Sequence, residues 1–309
     1  MVFVVCGESL MDVFATGTTE RGLALDARVG GSPFNVAVGL ARLAQPVAFL
    51  SSISRDFLGD RLLLALAREG VDTSTVQRVD APTTLGLVGL DALGVASYAF
   101  YGHGAADRRL DPDAVAWPSG VRAIHLGSYA AVVEPVATTL RALVERERHG
   151  ALIAYDPNVR LNVEPDLGRW RDTLQWMLTR CHLLKVSEED LALLMPGVSA
   201  EAFAAGALAR GVRMVVVTRG ADGAFGMTGA ARASVPTVAV DLIDTVGAGD
   251  TFQAALLTWL AERDALAPSR VHGLDARPLT AALGFASRAA AVTCSRRGAD
   301  LPRRHELPA

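Results

Sequence analysis

The run Asp244-Thr245-Val246-Gly247-Ala248-Gly249-Asp250-Thr251-Phe252 sets two glycines and an acid where an apolar, strand-like stretch passes into a helical one. The residues that follow, Ala254 to Leu257 and then Trp259-Leu260, are helix formers with apolar side chains at helical spacing. Backbone N–H groups at a helix start have no partner inside the helix and carry the positive end of its dipole. Glycine lets an anion approach them without a Cβ in the way. A carboxylate at such a place repels a bound phosphate unless it has a task. The natural task is to take the proton of a hydroxyl that attacks phosphorus. The segment reads as a phosphoryl-transfer site.

Composition narrows the means. Lys185 is the only lysine, against 29 arginines, and no Gly-Lys pair exists to build a Walker-type phosphate loop. Any nucleotide chemistry therefore needs an anion hole without lysine. Half of the 309 residues are apolar and the net charge is −3, so a sizeable core is expected and nothing favours nucleic acid or an anionic membrane. No apolar run is long enough to span a bilayer. The opening Met1-Val2-Phe3-Val4-Val5-Cys6-Gly7-Glu8 reads as a first strand rather than a signal peptide. Cys6, Cys181 and Cys294 have no metal spacing, and a cytoplasmic location is expected.

The elements that must position the site alternate. Short apolar runs at Val2–Cys6, Val47–Leu50, Ala123–Leu126, Leu152–Tyr155, His182–Val186 and Met214–Val217 read as buried strands. Amphipathic helices fall between them at Val36–Leu43, Leu62–Arg68, Val136–Glu147 and Ala202–Arg210. This alternation predicts an α/β fold with a mainly parallel sheet covered on both faces and ligands at the carboxyl ends of its strands. Residues 12–30 and 83–101 break the rhythm; they look extended, the second turning near Asp91–Gly94. They predict a small antiparallel β lid on a single domain spanning 1–309, placed to keep water from a phosphate donor.

Two segments near opposite ends carry a family resemblance. Gly30-Gly31-Ser32-Pro33-Phe34-Asn35-Val36-Ala37 resembles the first signature of the ribokinase-like, or PfkB, carbohydrate kinases, and Asp244 to Phe252 resembles the second. The resemblance implies a three-layer α/β/α fold, ATP and Mg2+ as co-reactants, and a sugar as acceptor. It makes Asp250 the catalytic base, and the N–H groups of Gly247, Ala248 and Gly249 the anion hole. Asp12, Gly31, Ser32 and Asn35 become sugar-binding residues; a carboxylate and an amide suit a polyol. Asp156-Pro157-Asn158-Val159-Arg160 resembles a family segment whose Asn158 and Arg160 approach sugar or phosphates, though a surface turn fits it too.

Lys185-Val186-Ser187-Glu188-Glu189-Asp190 follows another strand, and the resemblance implies Lys185 and Ser187 as nucleotide-binding residues; the family often has Asn-x-x-Glu here near magnesium, and this chain has Ser187 and the shorter Asp190. Asp190 can act on the metal through water, and Ser-x-x-Asp equally explains a capped helix start. Thr218, Gly220 and Gly223 resemble the nucleotide-lining segment, and no helix pattern follows them as a dinucleotide fingerprint requires. Gly298 resembles part of the adenine-side wall, and some relatives hold potassium between that loop and the acid matching Asp244. Phe100 to Arg108 is similar to bacterial fructokinases, which makes Tyr101, His103, Asp107 and Arg108 candidate sugar contacts. D-fructose is the expected acceptor; ribose, 2-keto-3-deoxygluconate and nucleosides are alternatives, as is a non-catalytic sugar sensor. Pairing of two lid sheets, common in relatives, suggests a homodimer.

Overall fold

The protein is described here from a computed structural model covering residues 3–90, 96–114 and 117–308. Strand β1 (Phe3–Cys6) leads into the long pair β2 (Leu10–Thr19) and β3 (Gly22–Gly30), then α1 (Ser32–Arg42). Next come β4 (Val47–Leu50), β5 (Ser52–Ser54), α2 (Phe57–Arg68), β6 (Gln77–Val79) and the antiparallel pair β7 (Leu85–Leu90) and β8 (Ala96–Tyr101). Regular alternation follows with β9 (Ala123–Gly127), α3 (Val136–Glu147), β10 (Leu152–Asp156), α4 (Leu167–Met177) and β11 (Leu183–Ser187). Helices α5 (Glu188–Leu194) and α6 (Ala200–Ala209) precede β12 (Met214–Thr218), β13 (Ala224–Thr228) and β14 (Arg232–Val235). The chain closes with α7 (Ala248–Glu262), α8 (Pro268–His272) and α9 (Ala276–Cys294).

The main sheet has the order β14-β13-β12-β11-β10-β9-β1-β4, parallel from β4 to β12 and antiparallel at β13 and β14. Successive strand residues point to opposite faces, and both faces are buried here. Phe3, Val5, Val47 and Phe49 pack into a core shared with α1, α7 and α9. Val4, Cys6, Ala48 and Leu50 enter a second core with α3, α4 and α6. That two-sided burial explains why the strands read as unbroken apolar runs.

The two irregular segments form a separate sheet, β3-β2-β7-β8, in which β2 and β7 run parallel. Its root is buried at Leu10, Met11 and Val13, whereas residues 15–19 of β2 are exposed. The turn expected near Asp91–Gly94 lies outside the described residues.

One expectation is corrected. The apolar stretch ahead of Asp244 is not a strand: residues 236–247 lie outside regular structure, with Val238, Val240, Leu242 and Ile243 exposed. A strand needs a neighbour for its backbone groups. This segment leaves the sheet at its edge strand β14, and the N–H groups of Ile243 and Asp244 donate to the Cys294 carbonyl at the end of α9 (2.9 and 3.2 Å).

Candidate active site

Helix α7 starts on Gly247, whose φ of 78° is left-handed. A Cβ there would lie 2.6 Å from the Ala299 Cβ, so both conformation and space require glycine. The Gly247 carbonyl accepts both the N–H and the hydroxyl of Thr251 (2.8 Å each), which fixes the first turn. Of the expected anion-hole donors, Ala248 N–H is turned onto the Thr245 carbonyl at 3.2 Å.

Asp250 lies in that first turn, buried, 7% exposed. Its Oδ1 accepts the Ser32 hydroxyl at 2.6 Å and its Oδ2 accepts the Asn35 amide at 2.8 Å. The Asn158 amide donates to Ser32 Oγ at 2.6 Å. Helices α1 and α7 thus meet at their N-termini, joining the two signatures. Gly31 caps α1 with φ 114°, and a Cβ there would stand 2.8 Å from the Glu8 carbonyl. Burial pushes the Asp250 carboxyl above its ordinary range, while hydrogen bonds from Ser32 and Asn35 and the charges of Lys185 and Arg160 oppose it.

Asp12 sits in β2 between two glycines of the flanking strands. A Cβ at Gly30 would fall 2.3 Å from its Oδ2, and one at Gly86 3.0 Å from its Oδ1. Its carboxyl is pushed up to about 6 by burial, against the pull of Arg160. Arg160 also draws on Asp190 and Asp250, so one guanidinium serves three acids from separate elements. Asp190 Oδ1 accepts Val159 N–H at 3.2 Å, and burial, reinforced by the charge of Asp156, pushes its carboxyl to about 6. The Ser187 hydroxyl caps α5 by accepting the Asp190 N–H at 3.0 Å. The capped helix start is thus realised.

Lys185, expected among the nucleotide contacts, lies inside the protein at 3% exposure. Its Nζ pairs with Asp156 Oδ2 at 2.5 Å and comes within 3.3 Å of the point a Gly249 Cβ would occupy. The pair underlies the helix start. Three residues unremarked in the sequence adjoin this region. His125 lies within 3.4 Å of Gln253, and its imidazole is pushed down to about 4 by burial. Glu8 is buried at the end of the turn after β1 and pushed up to about 8 by burial. A lone acid directly after an apolar strand was the available signal for Glu8; His125 and Gln253 sit inside apolar runs and gave none.

On the opposite side Thr218 ends β12 and leads to Gly220 and Gly223, with φ of 51° and 84°. A Cβ on Gly223 would lie 2.0 Å from the Val235 carbonyl, so this turn packs against the segment leaving β14. There begins a groove of about 500 Å³ bounded by Pro236, Val238, Trp259, Gly284, Phe285 and Arg288. Asp244 ties this side together: its carboxylate accepts the N–H groups of Val246 (3.0 Å) and Gly298 (2.8 Å). Tyr101, the last residue of β8, and His103 just after it are exposed. Arg108 stacks on Phe100 and Tyr129, and the buried Asp107 accepts the hydroxyls of Thr84 (2.5 Å) and Tyr129 (2.8 Å).

A mainly parallel sheet with acids and a glycine-led helix start gathered beyond its strands fits one class, which comparison with known proteins gives: a phosphotransferase with an alcohol acceptor. The family is specific: a model described as pfkB family carbohydrate kinase matches residues 3–306, and the chain belongs to that family. A fructokinase from Rhizobium leguminosarum bv. trifolii is 36% identical over 281 residues, covering 90% of this chain and 85% of the relative. A fructokinase from Xylella fastidiosa with bound ATP superposes with a TM-score of 0.85 at 27% identity, covering 99% and 95% of the two chains. A Vibrio cholerae O395 fructokinase bound to fructose, ADP and calcium gives 0.80 at 26% identity, over 97% and 94%. The fold is ribokinase-like and the protein is a sugar kinase.

Proposed function

We propose that this sugar kinase is a fructokinase, transferring the γ-phosphoryl group of ATP to D-fructose to give fructose 6-phosphate and ADP. The observation that carries the reading is Asp250: a buried carboxylate, gripped by Ser32 and Asn35, in the first turn of a glycine-led helix. The fructose acceptor is supported by the 36% identical fructokinase and by the fructose-bound neighbour.

In this reading Asp12 and Gly31 meet the sugar hydroxyls beneath the small sheet, which covers the reacting group against water. The acceptor hydroxyl faces Asp250, which takes its proton as the bond to phosphorus forms. Free N–H groups of the Gly247–Gly249 turn and the Arg160 guanidinium stabilise charge on the transferred phosphoryl oxygens. The triphosphate runs past Thr218, Gly220 and Gly298, and the base enters the groove beside Phe285.

Among the described residues no group of three or more His, Cys, Asp or Glu side chains stands ready to hold a metal ion. That fits magnesium, which keeps most of its waters and rides on phosphates; Asp190 would hold one such water. The ion would neutralise phosphate charge. Exposed Leu23 and Leu25 on β3 support a dimer through the small sheets.

The test is ADP release with ATP and magnesium across fructose, ribose, 2-keto-3-deoxygluconate and nucleosides. Fructose should give the highest kcat/KM. A higher value for another acceptor would overturn the assignment, and binding without turnover would overturn the kinase reading.

A further inference from the structure

Ser32 stands in the first signature where the sugar was expected, yet its hydroxyl is committed elsewhere. A serine hydroxyl has one proton to donate. Asn158 Nδ2 has only donors and points at Ser32 Oγ from 2.6 Å, so it occupies a lone pair of that oxygen. The hydroxyl proton must then go to another acceptor, and Asp250 Oδ1 lies 2.6 Å away. Asn158 itself is held at φ 42°, a left-handed conformation that asparagine tolerates better than most residues but that still stores strain. Asn35, fixed in the first turn of α1 by its N–H bond to the Gly31 carbonyl (2.9 Å), takes the other carboxylate oxygen. The carboxylate is clamped from both sides.

We infer that Ser32, with Asn158 behind it, is a positioning residue: a relay that aims the Asp250 carboxylate, not a contact to the sugar. The inference rests on Asp250 being the base. Each carboxylate oxygen keeps a second lone pair, so the clamp sets the plane in which the acceptor hydroxyl is met. A hydroxyl donated to a carboxylate also favours its charged form. Around Asp250 the other charged groups are Lys185 from β11, with Asp156 of β10 as its partner, and Arg160 after β10. Asp12 from β2 and Asp190 from α5 share Arg160, and His125 of β9 meets α7 at Gln253. None of these charged groups donates a hydrogen bond to Asp250 Oδ1. The other donor to that oxygen is the Asn158 amide, at 3.5 Å against 2.6 Å for the Ser32 hydroxyl, so Ser32 makes the short bond and Asn158 supports both partners.

The experiment follows kcat/KM for the sugar against pH in the full chain, with Ser32→Ala, Ser32→Thr and Asn158→Gly compared with wild type. Loss of the donor should move the acid limb upward by about one unit in Ser32→Ala, so that on the limb this variant falls about tenfold further below its own plateau. Asn158→Gly, which accepts the positive φ, should move the limb the same way by less. Ser32→Thr keeps a hydroxyl and should restore the wild-type limb. An unmoved limb in Ser32→Ala, with only the sugar KM raised, would overturn the inference and make Ser32 a sugar contact. So would a Ser32→Thr limb displaced as far as that of Ser32→Ala. If Ser32→Ala does not fold, Asn158→Gly decides, an unmoved limb counting against the relay. Asp250→Asn separates the two levels. Retained turnover there removes the base itself, whereas a dead Asp250→Asn with an unmoved Ser32→Ala limb removes the relay alone.

Discussion

Replacing Lys185 by methionine should be among the most damaging single changes in the protein, although the buried lysine is committed to Asp156. The lysine and Asp156 side chains are 4% and 3% exposed and meet at 2.5 Å through Oδ2, and Asp156 Oδ1 has no hydrogen-bond partner among the described residues. Methionine fills much of the lysine stem, so little of the loss is cavity. What remains is a carboxylate buried without its counter-charge. Neighbouring His125 is a poor substitute, because burial, the largest influence on its imidazole, opposes charging it and pushes it down to about 4 in the wild type. Breaking one partner of such a pair costs about 3–5 kcal/mol. Urea unfolding of wild type, Lys185→Met, Asp156→Asn and the double variant measures this directly if the slopes agree. The double variant removes both charges and should recover all but about 1–2 kcal/mol, the residue being an imperfectly satisfied buried amide. A Lys185→Met loss below about 1 kcal/mol, or single effects that simply add in the double variant, would refute a dry ion pair under the helix start.

Asp12 carries a pH signature. Its carboxyl is pushed up to about 6 by burial, so its ionised form, to which the proposed function gives the sugar hydroxyls, is lost as pH falls through about 6. The sugar KM should rise there, and Asp12→Asn should abolish that rise. The linkage sign gives a second readout. A carboxyl raised in the folded state contributes stability below its unfolded pKa and loses it as pH rises, so Asp12→Asn should be more resistant to urea than wild type at neutral pH. Equal stability would contradict the burial argument. Gly247→Ala and Gly197→Ala share φ of 78°, but only at Gly247 would the new Cβ meet a neighbour, 2.6 Å from Ala299. Backbone strain of about 1–3 kcal/mol applies to both. Gly247→Ala should lose more stability and also ADP-release activity, and parity between the two would refute the tight packing of this turn.

The alternation of strands and helices was legible because a sheet buried on both faces demands continuous apolar runs, as in Val47–Leu50 and Met214–Thr218. The helix start at Ala248 was legible because glycine and a first-turn acid mark it locally. The apolar residues before Asp244 carry the same local pattern as a strand, and only the absence of a neighbour beyond β14 decides otherwise. Ser32 and Asp250 lie 218 residues apart, and no local signal says that one donates to the other. Lys185 was expected as a nucleotide contact from the family resemblance of its segment. Its burial depends on Asp156, which the parallel pairing of β10 with β11 brings beside it.

The central claim is that Asp250 is the base for a sugar hydroxyl. It is tested most directly by fructose-dependent ADP release from Asp250→Asn under saturating ATP and magnesium, with nucleotide binding measured alongside. General-base assistance contributes about 10²–10⁴-fold, so turnover should fall by at least about 10² while ATP still binds. Activity within about tenfold of wild type would contradict the account.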